Sequence, residues 1–424
     1  MNIPQSVLPR VIIVGGGFGG VTLSRKLTKQ NFQVVLIDRH NYHNFQPLMY
    51  QVATSGLEPD SIAFPLRGLV EDRKNFLFRL AKVTAVDTAN NRLTTSIGKV
   101  SYDYLVIATG TKTNFFGNAN IEQAALPMKS ISQALNIRTY MLQNLEKATL
   151  TNDVEEQKKL MRIVISGAGP TGVELAGAFA EFKKGVLRND YPDLDPEFME
   201  IHLLDGASRV LVTMSEKSSQ KAEKYLKKLK VQVHLNVMVK SYEDETVITN
   251  TDLSFKALTF IWSAGVIGNP IDGIADDSLD QRSKRFYVDR MNRVKGYENI
   301  FAIGDIALMK TPEFPNGHPQ VAQPAIQQGD LLVKNFKRLQ QHEPLKEFSY
   351  FDKGNMATIG RNKAVADVKS LTIGGFLAWI AWLAVHLYFL VGVRNRLVVF
   401  LNWIYNYFNF DRAARAIIKP YNKN

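Results

Sequence analysis

Short unbroken apolar runs, each closed by glycines or by an acid, punctuate the first three quarters of the chain. Arg10-Val11-Ile12-Ile13-Val14 is the first, and Met161 to Ile165 repeats its character. Runs of four or five β-branched residues without polar alternation predict strands buried on both faces, as in parallel sheets. Helical spacing follows each run, over Val21 to Gln30 and over Val173 to Phe182. A second strand comes next in both places: Gln33 to Ile37, ending at Asp38, and Ile201 to Leu204, ending at Asp205. Further strands are expected over Tyr102 to Gly110 and Asn299 to Asp305. Val231 to Tyr242 and Leu258 to Ser263 read as continuations of the second sheet. Met128 to Leu150 and Ala322 to Leu339 read as helices, and polar Thr151 to Lys159 as a loop or helix end. Strand–helix–strand order repeated in this way predicts an α/β protein with two doubly wound units.

The last fifty residues break this rhythm. Leu371 to Val393 holds no Asp, Glu, Lys or Arg, and its length approaches what a bilayer crossing needs. Arg394 and Arg396 follow, then aromatic and apolar Leu397 to Phe410 with Asn402, Asn406 and Asn409 at helical spacing. Arg412, Arg415 and Lys419 close the tail. Three of the four tryptophans, Trp379, Trp382 and Trp403, fall here. Tryptophan favours the headgroup layer, so a membrane surface is expected to cover this segment in preference to a second subunit.

The turns after the two leading strands carry the chemistry. Gly15-Gly16-Gly17-Phe18-Gly19-Gly20 and Gly167-Ala168-Gly169-Pro170-Thr171-Gly172 each join a strand to a helix. That geometry seats a pyrophosphate on a helix N-terminus. Asp38, with Arg39 beside it, lies roughly 20 residues beyond the first turn, where a carboxylate reaches ribose hydroxyls. Asp205 lies further from its turn because acidic Asp190 to Glu197 inserts a surface loop; that stretch lacks the glycine and final glutamate of a calcium loop. Two such turns predict two dinucleotides, for which a flavin and a nicotinamide are the natural pair. Thr109-Gly110 ends a strand in small residues that let backbone approach a nucleotide closely. Asn41 to Thr54 is rich in aromatics and amides, and its His43 reads first as a structural histidine.

Composition then narrows the class. In 424 residues there is no cysteine, which excludes disulfides, thiolate metal sites and dithiol redox chemistry. The net charge of +12 is dispersed, and the Lys224, Lys227, Lys228 and Lys230 cluster reads as a solvated helix face, so nucleic acid is not expected as a partner. Met1 to Pro9 is too short for a signal-peptide core, which predicts synthesis in the cytosol.

Taken together these residues resemble the type II NADH:quinone oxidoreductases, the single-subunit respiratory dehydrogenases that do not pump protons. The likeness runs through Gly15–Gly20, Asn44-Phe45-Gln46-Pro47-Leu48, Tyr50-Gln51-Val52-Ala53, Tyr104–Gly110, Gly167–Glu174, Trp262–Val266, Ala302–Asp305 and Ala322-Gln323-Pro324-Ala325-Ile326-Gln327 to the tail. It implies two Rossmann-like domains: FAD over 1–120 and 297–370, and NADH over 121–296, with a membrane anchor over 371–424. The first would hold FAD with Gly15, Gly17, Phe18, Gly19, Gly20, Asp38, Arg39, Thr109, Gly110, Gly304 and Asp305. The second would hold NADH with Gly167, Gly169, Pro170, Thr171, Gly172, Asp205, Ala264 and Gly265. Glu174 resembles the family glutamate beside nicotinamide and flavin; a glutamate stabilised by the helix dipole is the alternative. Gln323 and Gln327, one helical turn apart, resemble the quinone pair, whose alternative is local bonding.

The resemblance further implies a peripheral enzyme on the cytoplasmic face of the inner membrane, a homodimer, and menaquinone or ubiquinone as acceptor. A soluble NADH:ferredoxin reductase-like enzyme is the competing reading. Two departures stand out. Many relatives have glutamate where Asp205 stands, with Arg209 close by to soften the preference for NADH over NADPH. The calcium-binding insertion of some eukaryotic relatives has no counterpart.

Overall fold

The computed structural model describes residues 1–70, 74–409 and 414–417, so Arg412 and Lys419 of the tail lie outside the described residues. Contacts within the chain divide it into two units. The first comprises Met1–His43, Phe64–Lys112 and Val266–Asp352. Its sheet is wholly parallel, in the order Ile300–Ala302, Tyr104–Ile107, Arg10–Val14, Gln33–Asp38, Phe76–Leu80. Alternate residues of one strand feed two cores: Ile12 and Val14 join Val35, Ile37 and Leu105 on one face, while Val11 and Ile13 join Val34, Leu36 and Val106 on the other. Both faces are covered, which is why no polar alternation appears in the sequence.

The second unit comprises Asn44–Ala63, Thr113–Gly265 and Lys353–Asn424. Its five-stranded parallel sheet repeats the first: Leu126–Pro127, Thr259–Trp262, Ile163–Ser166, Ile201–Asp205, Val231–Leu235. In each sheet the strand leading into the glycine turn lies in the centre, with the acid-ending strand beside it. Each unit also carries a three-stranded antiparallel ribbon inserted before the strand that returns to the sheet.

Several expectations need correction. Val231 to Tyr242 is not one sheet strand. Asn236, in the left-handed region at φ 58°, turns the chain out after Leu235, and Val239–Glu243 enters the antiparallel ribbon. Thr151 to Lys159 contains a helix, Val154–Met161. Asp153 caps it, acids open it and lysines close it, so its charges match the helix dipole despite a polar composition.

The apolar run Leu371 to Val393 is broken twice. Leu371–Gly375 is a strand paired with Lys363–Val368. Phe376–Phe389 is a helix of 14 residues, about 21 Å long at 1.5 Å per residue. Gly392, at φ 90°, then separates it from the helix Val393–Asn409. Among the described residues no helix is long and apolar enough to cross a membrane.

The contacts also place four segments differently from the expected domains; one is short, residues 113–120, which go with the second unit. Residues 266–296 go with the first unit, because Ile271, Phe286 and Val294 lie in its core. Residues 353–370 go with the second, where Ile359 packs so closely on Gly177 of the helix Pro170–Phe182 that a Cβ there would collide with its carbonyl. Residues 44–63 also join the second unit. Asn395 Nδ2 donates to Ala63 O (2.8 Å), Asn402 Nδ2 to Glu58 Oε2 (2.7 Å) and Asn406 Nδ2 to Gly56 O (3.1 Å).

Candidate functional site

In the first unit the chain leaves the strand Arg10–Val14 through Gly15, held at φ 112° with its N–H donated to Ile37 O at 2.9 Å. Gly20 then packs against Gly15 O so tightly that a Cβ would occupy the oxygen's position. The helix Phe18–Leu27 begins at Gly17 with no side-chain cap, and the space in front of Gly17 is open. Helix N-terminal amides facing open space suit an anion. Asp38 Oδ2 accepts from Gly16 N–H at 2.6 Å and Oδ1 from His40 N–H at 2.7 Å. The carboxylate therefore fastens the glycine turn to the second strand, and its remaining lone pairs are what a ribose has to use. Arg39 is exposed. His43 is buried, its Nδ1 2.9 Å from Gly16 O and its ring edge-on to Phe18, so it braces the turn. Burial lowers its pKa and keeps it neutral.

The rest of this cradle comes from other strand ends. Thr109 Oγ1 donates to Asn269 O (2.7 Å) and Gly110 faces open space. Thr111 Oγ1 donates to Asp305 Oδ2 (3.3 Å), and Gly304 N–H donates to Gln328 Oε1 (2.7 Å). An open, uncapped helix start with small residues around it fits the diphosphate of FAD.

The second unit repeats the arrangement. Gly167 (φ 106°) donates its N–H to Leu204 O at 2.7 Å, and Gly172 packs on Gly167 O. The helix Pro170–Phe182 starts at uncapped Gly169 with Pro170 in its first turn, followed by half-buried Thr171. Asp205 Oδ2 accepts from Ala168 N–H at 2.5 Å and Oδ1 from Ala207 N–H at 2.8 Å, matching Asp38 bond for bond. Ser263, Ala264 and Gly265 close over Gly167, with Ser263 Oγ 3.0 Å from its carbonyl. Arg209 donates to Met214 O (2.9 Å) and Val212 O (2.8 Å), so its guanidinium ties its own loop.

Glu174 is on this second helix but in its second turn, not at its N-terminus, and it is buried. The dipole explanation therefore does not hold. Desolvation pushes its pKa up to about 8, against weaker opposing pulls from Thr358 N–H, 3.5 Å away, and from Trp382. At neutral pH the acid is protonated. It lines a cavity of about 320 Å³ together with Tyr50, Gln51, Arg361, Trp379, Trp382 and Trp403.

Residues 9–329 match the pyridine nucleotide-disulphide oxidoreductase family and residues 353–412 match the NDH2 C-terminal domain. Two proteins of Mycobacterium tuberculosis, the type II NADH:quinone oxidoreductases NdhA and Ndh, are each 34% identical to the chain; the alignments cover 96% of it and 89% and 90% of them. The chain belongs to the type II NADH:quinone oxidoreductase family. The solved structure of NDH2 from Plasmodium falciparum in complex with NADH shares its fold, with a TM-score of 0.88 at 23% identity over 97% of this chain and all of that one. The sulfide:quinone oxidoreductase of Aquifex aeolicus shares the fold at a TM-score of 0.71 and 21% identity, over 94% and 95% of the two chains. This family member lacks the cysteines of dithiol chemistry.

The structure separates the glutamine pair. Gln323, in the first turn of the helix Ala322–Gln340, has its Oε1 buried without a hydrogen-bond partner. Gln327 is committed: its Nε2 donates to Phe351 O (2.9 Å) and its Oε1 accepts from Phe351 N–H (3.0 Å). The local-bonding alternative therefore describes Gln327 and not Gln323.

The tail also reverses an expectation. Trp379, Trp382 and Trp403 face inward and line the cavity; Trp403 Nε1 donates to Gln51 Oε1 at 2.8 Å. Exposed apolar side chains here include Phe376, Leu377, Ile380, Leu397, Leu401, Ile404 and Phe408, with Leu377 72% and Phe408 74% accessible. In the last helix Asn395, Asn402 and Asn406 point in, while Leu397, Leu401, Ile404 and Phe408 point out; Asn409 is exposed. Trp382 is the functional candidate that sequence reasoning missed. Its signal was the apolar run itself, in which nothing distinguishes an inward tryptophan from a headgroup one.

Proposed function

We propose that this chain oxidises NADH and reduces a membrane quinone through FAD, with NADH on the Gly167–Gly172 turn and FAD on the Gly15–Gly20 turn. The observation that carries this reading is the duplicated cradle: two uncapped helix starts, each facing open space and each tied by an aspartate to its turn. FAD, held on the Gly15–Gly20 turn, would supply a two-electron relay that accepts hydride from NADH and gives the quinone two electrons, the two protons of the quinol coming from that hydride and from solvent. The chain's own residues bind, orient and exclude water. Asp205 accepts from the NADH ribose and repels a 2′-phosphate, which favours NADH over NADPH. Glu174, neutral and buried, offers a carboxyl that both donates and accepts, as an uncharged positioning group for the nicotinamide amide requires. Gln323 donates through Nε2 to a quinone carbonyl and accepts through Oε1 from the quinol. Gln327 holds the Phe351 backbone and so keeps that helix start in place. The cavity lined by Trp379, Trp382 and Trp403 has room for an aromatic headgroup.

Family members of this kind are peripheral membrane enzymes. The outward apolar residues of the last two helices support docking on a lipid surface in this chain. A homodimer and the cytoplasmic face are proposed with it. The test is anaerobic. NADH added to the detergent-purified protein bleaches the flavin rapidly, NADPH does so slowly, and added ubiquinone or menaquinone restores the colour. Bleaching without recovery on either quinone favours the ferredoxin-type reading. No bleaching sinks the enzyme assignment.

A further inference from the structure

Trp382 is buried to 1% exposure, yet its indole N–H has no hydrogen-bond partner. A buried donor left unmade costs about 1–3 kcal/mol, so a native chain retains one only where something else requires it. The indole is fixed from several sides. It stacks on His386 at 3.9 Å between ring centroids, and Tyr50 and Trp403 lie at 6.3 Å and 5.9 Å. His386 Nδ1 is 2.7 Å from the Trp382 carbonyl, which ties the ring pair to the helix Phe376–Phe389. Trp382 and Glu174 line the same cavity, and the indole lies close enough to the Glu174 carboxyl to favour its ionised form without meeting full hydrogen-bond geometry. The only other donor to that carboxyl among the described residues is Thr358 N–H, at a long 3.5 Å.

We infer that Trp382 is a positioning residue for Glu174, its indole N–H held ready as the donor that the carboxylate takes up when it ionises. The inference rests on the proposed role of Glu174 beside the nicotinamide. It accounts for the unmet indole N–H. While Glu174 is protonated its carboxyl oxygens are weak acceptors and the indole N–H makes no full bond to them. Once the proton leaves, a charge-assisted N–H···O bond closes and offsets part of the desolvation. The donor belongs to the helix whose outer residues Phe376, Leu377 and Ile380 are exposed, so the seating of that helix sets how readily Glu174 ionises. Other charged or titratable groups lining the cavity are Glu181, Lys184, Arg361, Lys363, Tyr50 and Tyr407, with His386 behind the indole. Burial lowers the His386 pKa to about 4, so it is neutral throughout the relevant range.

Trp382→Phe keeps a ring against His386 and removes only the N–H. Stopped-flow flavin reduction by NADH, measured from pH 6 to pH 10, is expected to show its alkaline transition displaced upward by about one pH unit in W382F, with flavin content unchanged. Glu174→Gln is the reference and abolishes the transition. If E174Q keeps the wild-type profile, the Glu174 reading fails. If E174Q is flat and W382F overlays wild type, the Trp382 inference is overturned and the Glu174 reading survives.

A second measurement avoids dependence on W382F folding. In a variant with Trp379 and Trp403 replaced by Phe, the ultraviolet resonance Raman band that reports indole N–H bonding is followed over the same pH range; Trp262, whose Nε1 already donates to Asn114 O at 2.8 Å, adds a constant bonded contribution. A shift toward the bonded position on the alkaline side, absent when E174Q is added, supports the inference. A band that does not move with pH refutes it.

Discussion

Replacing Glu174 by Gln should make this protein more stable, by an amount that depends on pH. The carboxyl titrates at about 8 in the folded chain against 4.5 unperturbed. Between those values the folded state holds a proton that the unfolded state has released, so stability falls as pH rises. The contribution is complete below pH 4.5, declines by about 1.4 kcal/mol per pH unit, and by pH 9 has lost about 5 kcal/mol. Glutamine has nearly the same shape and never ionises. Other titrating groups cancel in the difference between the two proteins. Melting curves of wild type and E174Q at half-unit steps should show a Tm gap widening in favour of glutamine. From pH 5 to pH 7 the expected change is about 3 kcal/mol, or roughly 6–12 °C for a unit of this size. A gap independent of pH would mean that the carboxyl is not desolvated as its burial implies, and would undo the account of a neutral Glu174. The same variant should reduce flavin more slowly, since a destabilising acid is retained where function requires it.

Four further outcomes follow from the geometry. Gly20→Ala should yield colourless protein, whereas Gly172→Ala should keep its flavin but reduce it with an NADH KM raised at least ~100-fold, because each Cβ collides with the first carbonyl of its own turn; absorbance and stopped-flow kinetics separate the two. Asp205→Ser should raise activity with NADPH relative to NADH by ~10-fold or more, measured as the ratio of kcat/KM values, through loss of charge repulsion. Gln323→Leu should raise the quinone KM without changing flavin reduction by NADH, while Gln327→Leu should chiefly lower stability, by about 1–3 kcal/mol of lost backbone bonding at Phe351, read as a fall in Tm. Leu401→Asp combined with Phe408→Asp should weaken vesicle binding roughly 100-fold in flotation assays while leaving flavin content intact, since both side chains are exposed.

Much of this protein is written locally. A glycine at φ 112°, a second glycine closing on its carbonyl and an acid at the end of the next strand are consecutive features of one strand–helix–strand unit, so the Gly15–Gly20 and Gly167–Gly172 turns were legible from spacing alone. Unbroken apolar runs likewise announced strands covered on both faces. The duplication was also visible as a repeat of pattern.

What tertiary structure decided were the matters of direction and partnership. Residues 154–161 are polar enough to read as a loop, yet the Asp153 cap, charges matched to the helix dipole and the burial of Leu160 and Met161 make them a helix. Gln323 and Gln327 are indistinguishable by type and spacing; Phe351, distant in sequence, takes up one of them and leaves the other. Apolar content in the tail told nothing of which side faces in, because Asn395, Asn402 and Asn406 found backbone and carboxylate partners in residues 56–63 and turned the helix apolar side outward. Glu174 shows the same limit most clearly. The sequence placed it after a glycine turn, but its proton is held by desolvation, and desolvation depends on what the rest of the chain packs around it.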